Sequence, residues 1–381
     1  MRIAFVTETW LPASDGIITR LTATLPELQR QGHEVLVIAP DRCVRRSARS
    51  DPPVPAPPGV RVRTVPSQGL KFLYGGQRWG LPMPAVDRYL REFEPDVVHL
   101  VNPLLLGLAG HLSAARRQLP TVVSYHTDVA AYAARYHLRW TAPVQWSLLR
   151  RLHARARVSL ATSQTSIAQL TRQRIADVQL WPRGVDLERF RPPSEPRTDP
   201  CTCRTAVYVG RLAREKDLHR LSALQNRSTR LCIVGDGPAR REVESQLPGA
   251  TFTGRLSGEE LSAAYRAADV FVFPSTTDTL GLVLLEALAS GLPVVAADSP
   301  ASREVLAGCP VARLFPPSAP HRLPGIVEEL LASAAPEALT DQARRFAERA
   351  GWAESTATLI GFYRRATGVD TWSAVRREAT L

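Results

Sequence analysis

The chain has 381 residues, of which 44% are hydrophobic and 22% charged, and a formal net charge of +12. The composition is typical of a globular protein, and the length predicts two domains of roughly 150–200 residues each. No apolar run approaches the roughly 18–20 residues of a membrane span, and the first residues turn polar too early for a secretion signal. The five cysteines are scattered and odd in number, which favours reduced thiols and a cytoplasmic protein.

The positive charge is concentrated in the first half of the chain. Residues 1–190 hold 25 Lys/Arg against 14 Asp/Glu, a balance of +11, whereas residues 191–381 hold 23 against 22, a balance of +1. Codon bias would explain why arginine replaces lysine, but it would not explain this asymmetry. We therefore expect the first half to face an anionic partner.

In chain order, the first half alternates short apolar runs with amphipathic segments. Strands are predicted at residues 2–7, 34–39, 60–65, 97–100, 121–125 and 158–162, and helical spacing covers residues 19–31 and 84–93. This β–α alternation predicts a doubly wound parallel sheet. The proline-rich stretch at residues 51–59 is predicted to be an exposed loop, because proline disrupts both helices and sheets.

A second alternating series follows residues 191–200, which form the predicted linker. Its strands are predicted at residues 205–209, 230–234, 251–253, 270–273 and 294–296. The predicted fold class is thus α/β, with Rossmann-like domains at residues 1–192 and 203–352 and a last segment, 353–381, whose helix returns to the first domain. A cleft between the carboxyl ends of the two sheets is the expected ligand site.

A first candidate site lies around the start of a predicted apolar helix in the second domain. Asp278 precedes this helix, Gly281 lies near its start, and Glu286 falls about one turn later. The free backbone N–H groups of a helix start favour an anion, and a carboxylate one turn on can bind a vicinal diol. A diphosphate beside a diol-bearing sugar has this chemistry. The alternative is a helix cap and a buried glutamate with local hydrogen bonds.

Two cations follow a predicted strand of the same domain. Arg211 and Lys216 lie in the loop after residue 209, and both charges suit a diphosphate. The chain contains no Asp-x-Asp pair, so we expect the diphosphate to be neutralised by these side chains, with no essential metal ion and no other cofactor. The segment at residues 235–240 has Arg240 where a dinucleotide-binding motif needs its third glycine, which argues against a nicotinamide site.

The first domain offers weaker candidates at its predicted strand ends. Gly16 stands just before a helix, where its backbone favours an anion, although a simple turn explains it equally well. His126 follows a predicted strand with Asp128 nearby, and either a structural or a catalytic role fits its position.

Four segments together resemble the retaining glycosyltransferases of family 4, which have the GT-B fold. They are the acidic pair Asp278 and Glu286, the loop at residues 210–216, and the segments at residues 234–238 and 181–186. Within the family, residues 15–21, 99–103, 124–127 and 279–286 look most like sulfoquinovosyl diacylglycerol synthases, followed by glycolipid mannosyltransferases. The family usually has Glu where this chain has Asp278, a difference that bears on which sugar hydroxyls are held.

The resemblance implies a role for each matching residue. His126 and Asp278 would touch the transferred sugar, while Arg211 and Lys216 would bind the diphosphate and stabilise the leaving group. Glu286 would hold the ribose. Further donor contacts are implied for Gly16, Gly254, Arg255, Leu256, Thr279, Leu280, Gly281, Leu282 and Val283. The acceptor side is implied to contain Asp15, Arg20, Tyr125, Asp128 and Arg183. Retention would proceed by front-face attack, with the donor phosphate accepting the acceptor's proton.

The predicted activity is transfer of a sugar from a nucleoside diphosphate sugar, with a UDP-sugar favoured and GDP-mannose allowed. The basic first domain favours a lipid acceptor and peripheral binding to the inner face of an anionic membrane. A candidate membrane-binding helix contains Trp140, Trp146, Leu148, Leu149, Arg150, Arg151, Arg155 and Arg157. The alternative for this helix is ordinary packing on the core.

The sequence leaves two alternatives to this function. The same chemistry on a small soluble acceptor is the second interpretation. A nucleic-acid-binding protein is the third. It leaves the second-domain site unexplained and lacks aromatic stacking motifs, so no nucleic-acid partner is expected.

Overall fold

The computed structural model describes residues 1–11, 16–41, 56–69, 78–81, 84–126, 139–194, 203–225, 229–278 and 281–369. Contacts divide the chain into two units, Met1–Pro182 with Trp352–Leu381, and Arg183–Gly351. Each unit contains its own parallel sheet, which confirms the predicted α/β class.

The first unit is built on a seven-stranded sheet. Its elements are β1 (Arg2–Thr7), β2 (Glu34–Pro40), β3 (Arg61–Val65), β4 (Ser67–Gly69), β5 (Arg78–Gly80), β6 (Val97–Val101), β7 (Thr121–Tyr125), β8 (Val158–Ala161) and β9 (Val178–Leu180). The sheet order is β3-β2-β1-β6-β7-β8-β9, with β4 and β5 forming a separate antiparallel ribbon. The six predicted strands are confirmed to within one residue. The short strands β4, β5 and β9 were not predicted, because three residues are too few to show a periodic pattern.

Within the described part of this unit, five helices lie between the strands, and their apolar faces cover the sheet. They are α1 (Gly16–Arg30), α2 (Ala85–Phe93), α3 (Leu105–Arg116), α4 (Ala142–Arg155) and α5 (Gln164–Arg172). In α1, Leu21, Leu25 and Leu28 repeat at helical spacing and are fully buried against β1 and β2 side chains. The central strands β6 and β7 are buried along their whole length because both faces of a parallel sheet are covered.

The second unit repeats this architecture with six strands. They are β10 (Arg204–Val209), β11 (Thr229–Val234), β12 (Thr251–Gly254), β13 (Val270–Phe273), β14 (Val294–Ala297) and β15 (Ala312–Phe315), in the order β12-β11-β10-β13-β14-β15. Its helices are α6 (Arg240–Gln246), α7 (Gly258–Arg266), α8 (Leu282–Ala289), α9 (Pro300–Val305), α10 (Leu323–Ala332) and α11 (Pro336–Ala347). Five of these strands match the predictions to within one residue, and β15 was not predicted.

The boundary between the units lies ahead of the predicted one. The sequence placed residues 183–192 in the first domain, but the second unit starts at Arg183. Val185 and Phe190 are buried in the second core. The Arg344 guanidinium of α11 donates to the carbonyls of Leu187 and Phe190 at 3.0 and 2.8 Å. Residues 183–190 therefore belong to the second unit, because their backbone and side chains are bound to its core.

The last helix, α12 (Trp352–Thr367), belongs to the first unit. Leu359 and Tyr363 are fully buried in the same cluster as Phe5 of β1 and Leu21 of α1. Ser355 at its start donates to the carbonyl of Pro182 at 2.7 Å. Within the described residues, no helix is both long and apolar enough to cross a membrane.

We predict that Arg344→Met lowers the free energy of unfolding of the second unit. Arg344 Nη1 donates to the carbonyls of Leu187, Phe190 and Ala289, so the variant leaves three acceptors without this donor. The expected loss is about 2–4 kcal/mol in urea unfolding. Arg345→Met is the matched control, because that side chain is 77% exposed and lies 3.9 Å from one carboxylate, Asp341. Equal losses in the two variants would contradict the assignment.

Candidate active site

Three loops at the carboxyl ends of β10, β11 and β12 are tied together by backbone hydrogen bonds. The amide of Gly210 donates to the carbonyl of Val234 at 3.0 Å, and the amide of Gly235 donates to that of Gly254 at 2.8 Å. A Cβ added at Gly235 would stand 1.9 Å from the Gly210 carbonyl oxygen, and its φ of +141° disfavours other residues. The glycines therefore allow the close approach that fixes the loop containing Arg211.

Lys216 and Asp278 form an ion pair across the point where the strand order of the second sheet reverses. Lys216 follows β10, Asp278 follows β13, and Lys216 Nζ lies 2.7 Å from Asp278 Oδ2. Both side chains are largely buried, with 19% and 21% of their surfaces exposed. Thr277 Oγ1 also donates to the carbonyl of Glu215 at 2.7 Å, which joins the same two loops. Parallel sheets bind ligands at such a reversal.

Asp278 also fixes the entry to α8. Its Oδ1 accepts a hydrogen bond from the amide of Gly281 at 3.0 Å. Gly281 has a φ of +60°, the left-handed region in which glycine is favoured. The glycine is itself the N-cap of α8, so the alternative that Asp278 caps the helix is wrong, and the Asp278 carboxylate instead fixes the turn before it. The predicted contacts Thr279 and Leu280 lie outside the described residues.

The other predicted diphosphate cation also has a carboxylate partner. Arg211 forms an ion pair with Glu215, four residues on in the same loop. Half of the Arg211 side-chain surface is exposed, at 50%. Each cation is thus held by a carboxylate of the loops themselves, which orients both charges.

Glu286 lies one turn into α8, and its carboxylate accepts a hydrogen bond from the Tyr265 hydroxyl at 2.9 Å. Burial raises the pKa of Glu286 to about 7, and the bond from Tyr265 opposes that rise. Tyr265 was not identified from the sequence, since a tyrosine on a core-facing helix carries no distinguishing pattern. A partly buried carboxylate with a fixed donor on one oxygen is suited to binding a diol.

The remaining donor-side residues differ in their exposure. Gly254 ends β12, Arg255 after it is exposed, and Leu256 packs against the core of the second unit. Leu282 is buried at the start of α8, and Val283 is partly buried there.

In the first unit, His126 directly follows β7 and is 1% exposed. Its Nε2 lies 2.8 Å from Ser124 Oγ, and its backbone amide donates to Asn102 Oδ1 at 3.2 Å. The Trp181 ring packs edge-on against the imidazole, with centroids 5.6 Å apart. Burial and the Arg20 charge lower the pKa of His126 well below its ordinary value, so the ring is neutral.

The predicted acceptor-side residues are scattered. Arg20 is fully buried, with its guanidinium 4.4 Å from the Trp181 ring centroid, and Tyr125 is 1% exposed. Arg183 belongs to the second unit, where it pairs with Glu304 at 3.0 Å, and not to the first domain as predicted. Asp15 and Asp128 lie outside the described residues. Gly16, which was predicted as a donor contact and not as an acceptor contact, is the first residue of α1. A direct contact of these residues with an acceptor stays a prediction.

Glu8, a carboxylate of the first unit, is not among the site residues predicted from the sequence. Glu8 follows β1 and is buried, and its Oε1 accepts hydrogen bonds from the amides of Leu104 and Gly107 at 2.8 and 2.9 Å. Burial raises its pKa to about 7. It thus joins the loop after β1 to the start of α3, at the reversal of the first sheet.

The candidate membrane-binding helix is packed on the core along one face. Trp146 and Leu149 of α4 are buried with Tyr125, as the alternative interpretation expected. Trp140 and Val144 are 75% and 71% exposed. The apolar side chains available to a partner are therefore these two, and not the buried pair.

Comparison with known proteins gives this geometry a family. Residues 14–189 match the model described as Glycosyltransferase Family 4, and residues 203–333 match Glycosyl transferases group 1. A GDP-mannose-dependent alpha-mannosyltransferase of Mycobacterium tuberculosis is 38% identical over 98% of this chain and 99% of its own length. The chain belongs to glycosyltransferase family 4. The sulfoquinovosyl transferase SQD2 of Arabidopsis thaliana is 37% identical over 56% of this chain and 45% of its own.

Solved structures support the fold of this family 4 enzyme. Sucrose-phosphate synthase from Thermosynechococcus elongatus has a TM-score of 0.77 at 21% identity, covering 97% of this chain and 99% of that one. HepE from Anabaena, in complex with UDP, has a TM-score of 0.72 at 17% identity, covering 95% and 99%. The predicted GT-B fold and the prediction of a hexosyltransferase that uses a nucleotide sugar are confirmed.

Replacing Glu286 with glutamine is predicted to change the pH dependence of stability. The folded pKa is raised from 4.5 to about 7, so ionisation costs the folded protein stability as pH rises through this range. The neutral amide avoids this cost, and in urea unfolding the variant should gain about 1–3 kcal/mol on wild type between about pH 5 and pH 8.

Glu244→Gln on α6 is the control, since that carboxylate pairs with Arg240 at the surface. Glu8 titrates in wild type and in both variants, so its contribution cancels. Parallel curves for wild type and Glu286→Gln would show that Glu286 titrates normally.

Proposed function

We propose that this enzyme is a retaining mannosyltransferase that moves mannose from GDP-mannose to a hydroxyl of a lipid acceptor. The observation that carries the nucleotide-sugar site is the Lys216–Asp278 pair, 2.7 Å long, at the turn into α8. The choice of GDP-mannose is supported by three relatives of that donor specificity, 37–38% identical to this chain. The sequence alone favoured a UDP-sugar, which is the competing outcome of the donor test.

Binding of a diphosphate is proposed as an exchange of partners. Lys216 and Arg211 would exchange part of their hydrogen bonding to Asp278 and Glu215 for hydrogen bonds to the diphosphate oxygens. Neither cation would be left without a negatively charged partner during this exchange. Asp278 keeps its hydrogen bond from the Gly281 amide, so its second oxygen would be released toward the sugar hydroxyls. The two cations would also stabilise the negative charge that develops as the leaving group departs.

The proposed reaction keeps the anomeric configuration. The bond between the anomeric carbon and the diphosphate oxygen breaks, and the acceptor oxygen bonds to the same face of the sugar. The acceptor's proton passes to an oxygen of the departing diphosphate, so no protein base is needed. Charge stabilisation by Arg211 and Lys216 is then the main contribution of the protein, and no divalent ion or other cofactor is required in this proposal.

Lys216→Ala and Arg211→Ala are predicted to weaken donor binding and turnover. Each removes a charge-assisted bond, so kcat/KM with GDP-mannose should fall by about 10–100-fold, equivalent to roughly 1.5–3 kcal/mol. Arg214→Ala is the matched control. That arginine lies in the same loop, is 85% exposed and pairs with Glu242. Wild-type kinetics in either of the first two variants would refute the diphosphate role.

The donor itself is tested by thermal shift with GDP-mannose, UDP-glucose and ADP-glucose. A donor at a hundred times its dissociation constant should add about 2.7 kcal/mol to the stability of the protein. We expect this shift with GDP-mannose. A shift with UDP-glucose alone would replace the donor and restore the preference predicted from the sequence.

The lipid acceptor is supported by relatives that act on lipids and by the surface of α4. A relative named alpha-monoglucosyldiacylglycerol synthase, from Streptococcus pneumoniae, is 26% identical over 79% of this chain. On α4, Val144, Arg151 and Arg155 share one exposed face at helical spacing, and Trp140 is exposed just before the helix. An apolar end beside a basic stripe suits an anionic bilayer surface.

Sedimentation with vesicles is predicted to depend on this face. The protein should bind vesicles containing anionic lipid and be released as salt rises, since each arginine near such a surface contributes about 1 kcal/mol. Trp140→Ser combined with Arg151→Gln and Arg155→Gln should weaken binding and leave the affinity for GDP-mannose unchanged. Arg172→Gln with Arg364→Gln removes the same charge from exposed positions of the same unit and serves as control. A protein that stays in solution with anionic vesicles would favour the small soluble acceptor.

A further inference from the structure

A chain of hydrogen bonds runs from the last helix to His126 through the core of the first unit. The Tyr363 hydroxyl of α12 lies 2.6 Å from His99 Nδ1. His99 Nε2 lies 2.8 Å from Ser124 Oγ, which lies 2.8 Å from His126 Nε2. All four side chains are buried, with exposures of 0% or 1%. The chain thus links residues far apart in sequence without contact with solvent.

The direction of the protons along this chain follows from its end. Among the described residues, His99 is the one hydrogen-bond partner of the Tyr363 hydroxyl, so the tyrosine donates its proton to His99 Nδ1. The neutral His99 ring then carries its proton on Nε2 and donates it to Ser124. The Ser124 proton is left for His126 Nε2, which accepts it. The reverse direction would leave a buried tyrosine proton without an acceptor, which is unfavourable.

We infer that Tyr363, His99 and Ser124 are positioning residues that hold His126 as its Nδ1–H tautomer, so that His126 offers a substrate oxygen a donor and no base. His126 Nε2 is occupied by the Ser124 proton. His126 Nδ1 is buried and has no hydrogen-bond partner within the described residues, so it is the ring nitrogen left to bond a substrate oxygen. The inference rests on the proposed contact between His126 and the transferred sugar.

The electrostatic surroundings keep the His99 and His126 rings neutral, which the hydrogen bonds between Tyr363 and His126 require. Burial and the nearby Arg20 cation lower the pKa of His99 to about 3, and the same two causes lower that of His126. A neutral imidazole with a fixed tautomer donates to a hydroxyl or ring oxygen without taking up its proton. This agrees with a reaction in which the leaving diphosphate, and not the protein, accepts the acceptor's proton.

The tautomer is measured directly in the full-length protein with ¹⁵N-labelled histidine, from two-bond ¹H–¹⁵N correlations, with His126→Gln to assign the signals. We expect a protonated Nδ1 and an unprotonated Nε2 for His126. In Tyr363→Phe the hydroxyl that sets the donor-to-acceptor direction of these hydrogen bonds is missing. The His126 signals should therefore move toward the other tautomer. Turnover should fall about tenfold in kcat, with the KM for GDP-mannose within about twofold, because the tautomer changes one contact to the sugar while the proposed diphosphate contacts of Arg211 and Lys216 are kept.

Tyr89→Phe is the matched control, because its hydroxyl donates to the Thr64 carbonyl at 3.2 Å elsewhere in the first unit. It should leave the His126 signals and kcat unchanged. Ser124→Ala cuts the chain next to His126 and gives the same tautomer test if Tyr363→Phe fails to fold.

Two results would overturn the inference. They are a protonated His126 Nε2 in wild type, and an unchanged Nδ1–H tautomer in both Tyr363→Phe and Ser124→Ala. The tautomer is read without substrate, so a shifted tautomer with unchanged kcat supports the hydrogen-bonded chain and refutes the sugar contact of His126.

Discussion

The strand order of each parallel sheet reverses at one point, and polar side chains that join two loops of this enzyme lie at that point. At a reversal, the loops after two neighbouring strands turn to opposite faces of the sheet and leave a crevice. In the second unit, Lys216 after β10 meets Asp278 after β13. In the first unit, Glu8 after β1 bonds to the amides at the start of α3, just after β6. Each crevice is thus bridged by a carboxylate that holds its two loops together.

The two units then use buried polar groups in different ways. In the second unit, the ion-paired side chains Arg211, Lys216 and Asp278 lie after the ends of strands and remain partly exposed. The first unit places His99 and Ser124 inside strands, with Tyr363 against them from α12. Hydrogen bonds between buried polar groups reduce the cost of placing them in such a core, and within the described residues His126 Nδ1 is left without a partner. Under the proposed function, the site of the second unit exchanges partners on binding and the buried set of the first unit stays fixed.

The sequence predicted what local pattern determines and missed what tertiary contacts determine. Runs such as Ile3–Ala4–Phe5–Val6 identify buried parallel strands, and the spacing of Asp278 and Glu286 identifies the start of α8. The unit boundary was misplaced because Arg344 binds carbonyls more than 150 residues away. The face of α4 that packs on the core was likewise not separable from a membrane face by spacing alone. Tyr363 and His99 are 264 residues apart, and no local signal connects them.

The uneven charge of the chain reflects two kinds of electrostatic interaction. In the second half, which carries a balance of +1, the cations of the site already have carboxylate partners, so recognition there depends on geometry over a few ångströms. In residues 1–190, with a balance of +11, basic side chains outnumber acidic ones, so part of the arginine charge is not offset. Their field extends to about the Debye length, roughly 8–10 Å, and acts on any anionic surface whatever its detailed shape. Under the proposed function, a diphosphate must be oriented for chemistry, whereas a bilayer needs only to be approached, and the uneven distribution of charge is consistent with that difference.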